Sequence, residues 1–316
     1  MVTPPVVLGL DFGGTKIAAA VCDLAGNRLA SQTVGSDGVL GAEVSFGRGI
    51  GLARDLLGTV APDGELIAVG VATFGIPFED RVELAPAIPG WDRLAMGQEL
   101  RRAFPGAQIR MATDAKAAAQ AEVRWGALAG CDPAVYLNLG TGLAAAVVIG
   151  GEVVNGVNGA AGEIGYNLRF LADVGRPFDR RLLLEQMVSG QALADRAATA
   201  GLRLTAADVF DATDGEFDGL IADFVGELAF HLVNLAILIN PKRIAVGGGM
   251  ARSWDRIRSP LKQALESGTP FPPELVVAHF PDEAPLLGAV AIAVDAAQGA
   301  GEAAIHQHPI NTSTMS

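Results

Sequence analysis

An apolar run, a glycine turn and a second apolar run occur twice in this chain. The first copy is LGLDFGGTKIAAAV at residues 8–21; the second is VYLNLGTGLAAAVVIGGEVVNG at residues 135–156. Each reads as strand, tight turn, strand and, after a further turn, a third strand. In the first copy the strands fall at Val6–Leu10 and Ile17–Asp23, and the turn LAGN leads into Arg28–Thr33. A meander that returns after about 130 residues predicts a fold-level repeat, and 316 residues suit two domains at ~150 residues each. Between the copies, helical spacing covers Asp37–Leu57, a buried strand covers Leu66–Thr73, and a second helix covers Leu94–Phe104. A strand at Gln108–Ala112 then meets Asp114, where the alanine-rich run Ala115–Trp125 takes over as helix.

Glycine turns of this kind expose backbone N–H groups and admit close approach of a phosphate. A Walker loop would require G-x-x-x-x-G-K-[ST] between a strand and a helix, and no such string is present. GTGLAA satisfies a loose dinucleotide pattern, but strand-like residues follow it where a Rossmann unit needs a helix. Two hairpins facing each other can instead grip a polyphosphate from opposite sides. Gly13, Gly14, Thr15 and Lys16 form one such cradle, and Gly140, Thr141 and Gly142 the other. Asp11 would repel a phosphate directly, so its reading is a Mg²⁺ carboxylate, acting through water. A third glycine element, Gly247, Gly248 and Gly249, lies between a strand at Arg243–Val246 and a helix running to about Leu265. It offers a flat platform and a positive helix terminus for adenosine or its phosphates.

The formal charge of −12 argues against nucleic acid and anionic membrane as partners, which need basic patches. Cys22 and Cys131 are too few for a disulfide scaffold and fit a reducing cytoplasm. The longest apolar stretch, Leu228–Ile239, is interrupted by His231 and Asn234 and is read as too short to span a bilayer; no signal-peptide pattern opens the chain. The tail from Ala300, polar and aperiodic, is expected to be mobile.

In order along the chain, LGLDFGGTKIAAAV, ATDAKAAAQAE, LNLGTGLAAAVV, NGVNGAAGEIGY, LLLEQMVSG, LAILINPKRIAVGGGM and APLLGAVAIA resemble the motifs of the ROK family of sugar kinases and repressors. The resemblance spans nearly residues 6–295. It implies an actin-like, sugar-kinase α/β fold of two domains, with ATP and Mg²⁺ in the cleft. The smaller domain would be residues 6–113 rejoined by a helix near 286–299, the larger 114–285. Asp114 matches the family's catalytic base; a bare N-cap carboxylate is the alternative. Glu163 and Glu185 match glutamates that accept hydrogen bonds from sugar hydroxyls. The resemblance also implies a sugar or polyol substrate and a homodimer. DNA-reading members carry a helix-turn-helix ahead of the first hairpin, and here that hairpin begins almost at residue 6, so a repressor is not expected.

Departures from the family pattern bear on the substrate. Tyr166 stands where the family has a sugar-contacting, zinc-ligating histidine, and no cysteine cluster follows, so no zinc site is expected. Thr113 and Ala87 replace asparagines of the glucokinases, which removes amides that read hydroxyl stereochemistry and makes glucose a poor default. Ala144 and Ala145 replace usual glycines beside the second hairpin. Arg169, Arg176, Arg180 and Arg181 fill the region of the missing cluster, readable as an anion site but better as a solvated face. His231, on an apolar helix, is expected to be packed, and His279 has no metal partner in view. A non-catalytic sugar sensor is the alternative function that these departures leave open.

Overall fold

The computed structural model describes residues 5–62, 64–199, 204–212 and 215–299. The tail from Ala300 lies outside the described residues. The chain opens with β1 (Val6–Phe12), β2 (Lys16–Asp23) and β3 (Arg28–Gly35), then α1 (Ala42–Val60), β4 (Leu66–Thr73) and the small hairpin β5 (Ile76–Pro77) and β6 (Val82–Glu83). After these come α2 (Met96–Ala103), β7 (Gln108–Thr113) and α3 (Asp114–Trp125). The meander returns as β8 (Ala134–Leu139), β9 (Leu143–Ile149) and β10 (Glu152–Val153). An irregular stretch with three short 3₁₀ turns leads to α4 (Gly190–Thr199), α5 (Ala206–Asp211) and α6 (Asp218–Ile239). The remaining elements are β11 (Arg243–Gly247), α7 (Trp254–Gly268), β12 (Glu274–Val277) and α8 (Ala284–Gln298).

Two five-stranded sheets carry the same plan, β3-β2-β1-β4-β7 and β10-β9-β8-β11-β12. In each, the meander is antiparallel and the later strands add in parallel to its first strand. The repeat expected from the glycine turns is therefore present in the sheet order. The carboxyl ends of β1, β4 and β7 are in register, with Phe12 opposite Thr73 and Thr73 opposite Thr113. That edge of a parallel sheet is where open α/β folds bind ligands.

Each half has its own core. In the first, Phe12 stacks on Phe46 at 5.4 Å and tilts against Trp91, whose indole N–H donates to Thr73 Oγ1 at 3.2 Å. In the second, Phe210 meets Phe224 edge-on amid the leucines and valines of β8, α6, β11 and α7. The spacing of small residues in APLLGAVAIA finds its reason in α8, which packs on β1, β4, β7 and α3. A Cβ on Gly70 would lie 1.9 Å from the Ala289 carbonyl, and one on Gly288 1.7 Å from the Ala117 carbonyl. Both crossings are backbone against backbone, and only glycine permits them. Glu122 of α3 is fully buried and accepts from the amides of Ala127, His279 and Phe280 at 2.6, 3.0 and 2.8 Å. It fixes the chain on leaving α3 and again just before α8.

Most element ends move by one or two residues from the sequence reading, and three shifts are larger. Helix α1 begins at Ala42, because Asp37 is left-handed (φ 50°), a 3₁₀ turn occupies Gly38–Leu40 and Gly41 is extended at positive φ. Helix α7 begins at Trp254, after a 3₁₀ turn at Gly249–Ser253. The apolar stretch around residue 228 belongs to a 22-residue helix that is, by length and composition, long and apolar enough to cross a membrane. Here α6 packs Phe224, Val225, Leu228, His231, Leu232 and Ala236 into the second half as one of its core helices.

Candidate active site

Asp114 sits at the junction of β7 and α3, as the sequence suggests, but it is not the helix cap. Thr113 caps α3, its hydroxyl accepting from the Lys116 amide at 3.4 Å. The Asp114 carboxylate accepts from the Ala115 amide at 2.7 Å and is otherwise free to work on a ligand. Thr113 is buried, with its hydroxyl engaged on the helix, so of the substrate-facing positions read from the sequence it is the least open to a ligand.

Carboxylates converge on this point. Asp114 is pushed up to about 6, first by burial and then by the Glu185 charge, with the Ala115 amide opposing. Asp11, one strand beyond β4, is pushed up to about 7 by burial and by Asp114, against Lys16. Glu163 is also raised to about 7 by burial, then by Asp114 and Glu185, with Lys116 pulling it down. Asp11 and Asp114 each retain some solvent access but stand in enough protein for burial to dominate. Tyr166, half-buried, is raised by burial and then by Glu185 and Glu163, so its phenol faces the same carboxylates. The four acids, Tyr166 and Lys116 therefore form one electrostatic unit.

The first hairpin closes on itself through the Gly13 amide and the Lys16 carbonyl at 2.9 Å. Buried Ser36 supports it: its hydroxyl donates to the Gly14 carbonyl at 2.7 Å, and its amide donates to the Thr15 carbonyl at 3.0 Å. Ala87 stands beside Gly14, 3.7 Å from where a Cβ would be, so the position that lacks an amide borders the first hairpin. Its loop carries Leu84 at φ 55°, a conformation costly to a branched side chain.

The second hairpin is held from outside. Glu185 Oε2 accepts from the Leu143 amide at 2.8 Å, and the start of α4 donates from Gly190 to the Gly140 carbonyl at 2.7 Å. A Cβ on Gly142 would sit 2.4 Å from Glu185 Oε2, which explains glycine there. The platform adjoins this hairpin: a Cβ on Gly140 would lie 3.7 Å from the Gly249 amide, and one on Gly248 2.6 Å from the Leu139 carbonyl. Gly247 lies directly against the Tyr136 hydroxyl. The intervening 3₁₀ turn keeps the α7 terminus several residues away from the platform, so backbone amides at 248–249, rather than that terminus, border it.

The sequence reading missed Ser36 and Lys116. No periodic signal marks either one, since Ser36 lies in an irregular turn and Lys116 interrupts an alanine run that reads as ordinary helix. Two of the four arginines are structural. Arg169 makes a bidentate pair with Glu227 of α6, and Arg181 donates to the carbonyls of Tyr166 and Asn167. Arg176 and Arg180 are exposed. His231 is packed as expected, its Nδ1 3.3 Å from the Asn167 amide nitrogen. Among the described residues, no group of three or more His, Cys, Asp or Glu is arranged to hold a metal.

Residues 7–296 match the ROK family. The chain belongs to the ROK family. It is 30% identical to the glucokinase of Halalkalibacterium halodurans over 82% of this chain and 85% of that one. Its fold matches the ROK hexokinase of Thermus thermophilus with a TM-score of 0.75 at 28% identity, covering 91% and 97% of the two chains. The Streptomyces griseus ROK glucokinase, solved with glucose and AMPPNP, gives a TM-score of 0.72 at 27% identity over 91% and 99%. These matches carry the actin-like ATPase fold expected from the motifs.

Proposed function

We propose that this ROK protein is an ATP- and Mg²⁺-dependent kinase that phosphorylates a hydroxyl of a sugar or sugar-like polyol, with Asp114 as general base. The observation that carries the reading is the meeting of Asp114, Glu163 and Glu185 beside two glycine hairpins. The relatives named glucokinase and the AMPPNP-bound one support phosphoryl transfer from ATP. The division into 6–113 plus 286–299 and 114–285 is retained, with the hairpins facing each other between the halves.

In this mechanism the hairpin glycines and Thr15, Thr141 and Lys16 hold the polyphosphate, and the platform Gly247–Gly249 holds the nucleoside side. Asp11 would hold Mg²⁺, which supplies charge neutralisation across the transferred phosphoryl group. Glu163 and Glu185 accept from acceptor hydroxyls, and the Tyr166 phenol donates where the family histidine would stand. Asp114 takes the proton of the attacking hydroxyl as the new O–P bond forms and ADP leaves with the electrons of the broken bond. A base poised near 6 is ionised at neutral pH yet strong enough to accept a proton. Ala87 and Thr113 supply no amide to the acceptor, so its identity differs from a default glucose. Zinc has no role, since the segment after Tyr166 has no cysteine. A homodimer is the expected assembly.

The test is ADP release from Mg·ATP over hexoses, amino sugars, polyols and sugar phosphates, with Asp114→Asn beside the native protein. One acceptor turned over, with kcat lower by about 10²–10⁴ in Asp114→Asn, is expected. ATP binding without turnover of any acceptor would reject the kinase reading. Because the acids titrate together, the acidic limb of kcat/KM reports the cluster; activity falls as pH drops through about 6, where Asp114 takes up its proton.

A further inference from the structure

Lys116 is 3% exposed, two residues beyond Asp114 on α3, and makes no ion pair closer than 4 Å among the described residues. Its ammonium donates instead to two backbone carbonyls of the loop between β10 and the first 3₁₀ turn: Gly159, and Asn155 at 3.4 Å. That loop delivers Glu163. It is closed on itself by the Ala161 amide and the Asn155 carbonyl at 3.0 Å, and fastened to β9 by the Ala145 amide and the Gly162 carbonyl at 2.8 Å. At its tip, a Cβ on Gly159 would be 2.9 Å from Ile76 Cγ2, so the loop reaches the small hairpin of the other half. A buried ammonium is expensive, and structural lysines normally reach water or a carboxylate. This one is spent on the loop that carries Glu163, which it holds against the helix that carries Asp114.

We propose that Lys116 is a positioning residue, which ties the Glu163 loop to α3 through the Gly159 and Asn155 carbonyls and so sets its ammonium and the Glu163 carboxylate together at the acceptor. The assignment rests on the kinase reading, in which Glu163 binds the acceptor. The groups facing Glu163 are Asp114 and Lys116 from α3, Glu185 from the segment before α4, and Tyr166 from its own 3₁₀ turn; Asp11 of β1 stands behind Asp114. Of these only Lys116 favours the charged carboxylate, and burial holds Lys116 itself below the ordinary lysine range. Removing it therefore moves the Glu163 midpoint upward from about 7.

Lys116→Met removes both charge and donor, and Lys116→Gln keeps a donor for the loop carbonyls without the charge. In the full-length protein, ¹³C-carboxyl NMR titration, with the Glu163 signal assigned by Glu163→Gln, should give a midpoint higher by about one pH unit in both variants. Acceptor KM at pH 7 should then rise about fivefold, with a smaller change in kcat, and most of the loss should return by pH 9. The Met variant should show the larger KM change. An unmoved Glu163 midpoint in either folded variant would overturn the proposal, as would a KM defect equal at every pH, which is what a purely structural lysine predicts. The titration needs no turnover, so an inactive native protein would defeat the kinase reading while leaving Lys116 tested.

Discussion

The hairpin between β1 and β2 is supported by Ser36 alone, and its outer glycine has room: a Cβ on Gly14 would meet only the Ala87 methyl at 3.7 Å, although one on Gly13 would lie 2.9 Å from the Lys16 carbonyl. The hairpin between β8 and β9, on the same strand plan, is clamped by a carboxylate and a helix start, Glu185 on the Leu143 amide and Gly190 on the Gly140 carbonyl. Beside it a Cβ on Gly162 would come within 1.9 Å of the Ala145 carbonyl at φ 88°. One architecture is thus looser around Gly14 on one side and tighter around Gly142 and Gly162 on the other. On the proposed reading the tight side carries Glu163 and Glu185, whose placement must be reproducible for acceptor hydroxyls to be read, whereas the loose side would have only to wrap phosphate oxygens with backbone. The difference predicts unequal responses to equal changes.

Gly162→Ala should have the largest effect. Its Cβ meets backbone that cannot rotate away, in a left-handed conformation that alanine resists, and a loss of more than about 3 kcal/mol is expected. At this chain length that lowers Tm by roughly 5 °C in thermal unfolding followed by circular dichroism. Gly14→Ala should shift Tm by far less, and comparable losses at the two sites would break the contrast between the halves.

A middle-sized effect separates the two buttresses. Glu185→Gln weakens a charge-assisted hydrogen bond to a backbone amide, and Ser36→Ala removes a neutral one; the expected costs are about 1.5–3 and 0.5–1.5 kcal/mol. Urea unfolding reads both. Glu185→Gln has a second signature, because it removes a charge that holds Asp114 up. The Asp114 midpoint then falls, and the acidic limb of kcat/KM moves to lower pH, while Ser36→Ala leaves that limb in place. A limb unmoved by Glu185→Gln would detach Glu185 from the base.

Much of this contrast could be read from residue types. The strand at Leu66–Thr73, the doubled meander, the glycine positions and the place of Asp114 all follow from local rules, short continuous apolar runs and turns that only glycine can make. What escaped the sequence is long-range. Thr113 caps the helix in place of Asp114 because the β7 register ends one residue later than its apolar pattern does. Lys116 looks like the polar face of an alanine helix until a loop some forty residues downstream folds over it. Glu122 resembles a surface charge in the same helix, yet it is wholly enclosed by amides that arrive from residues 127, 279 and 280. The segment 164–189 has neither a 3.6 nor a 2.0 period, and its arrangement depends on Arg169 meeting Asp173 and Glu227 and on Arg181 reaching the carbonyls of Tyr166 and Asn167.

The smallest expected effect probes the loose half directly. Leu84 is held at φ 55° in the loop that presents Ala87 to the first hairpin. Leucine in that region costs roughly 1–2 kcal/mol relative to an unstrained backbone, and glycine does not bear that cost. Glycine also has more freedom to lose on folding and gives up a side chain that is only partly covered, so the two terms largely offset and Leu84→Gly should change stability by less than about 1 kcal/mol. Its informative readout is the kinetic one. If the strained loop presses Ala87 toward Gly14 to shape a phosphate cradle, relaxing it should raise the KM for ATP and leave the KM for the acceptor nearly unchanged, since the proposed reading gives the acceptor groups to the tight half. Equal changes in both constants would mean that the Ala87 loop serves both ligands, and the division of labour between the halves would have to be redrawn.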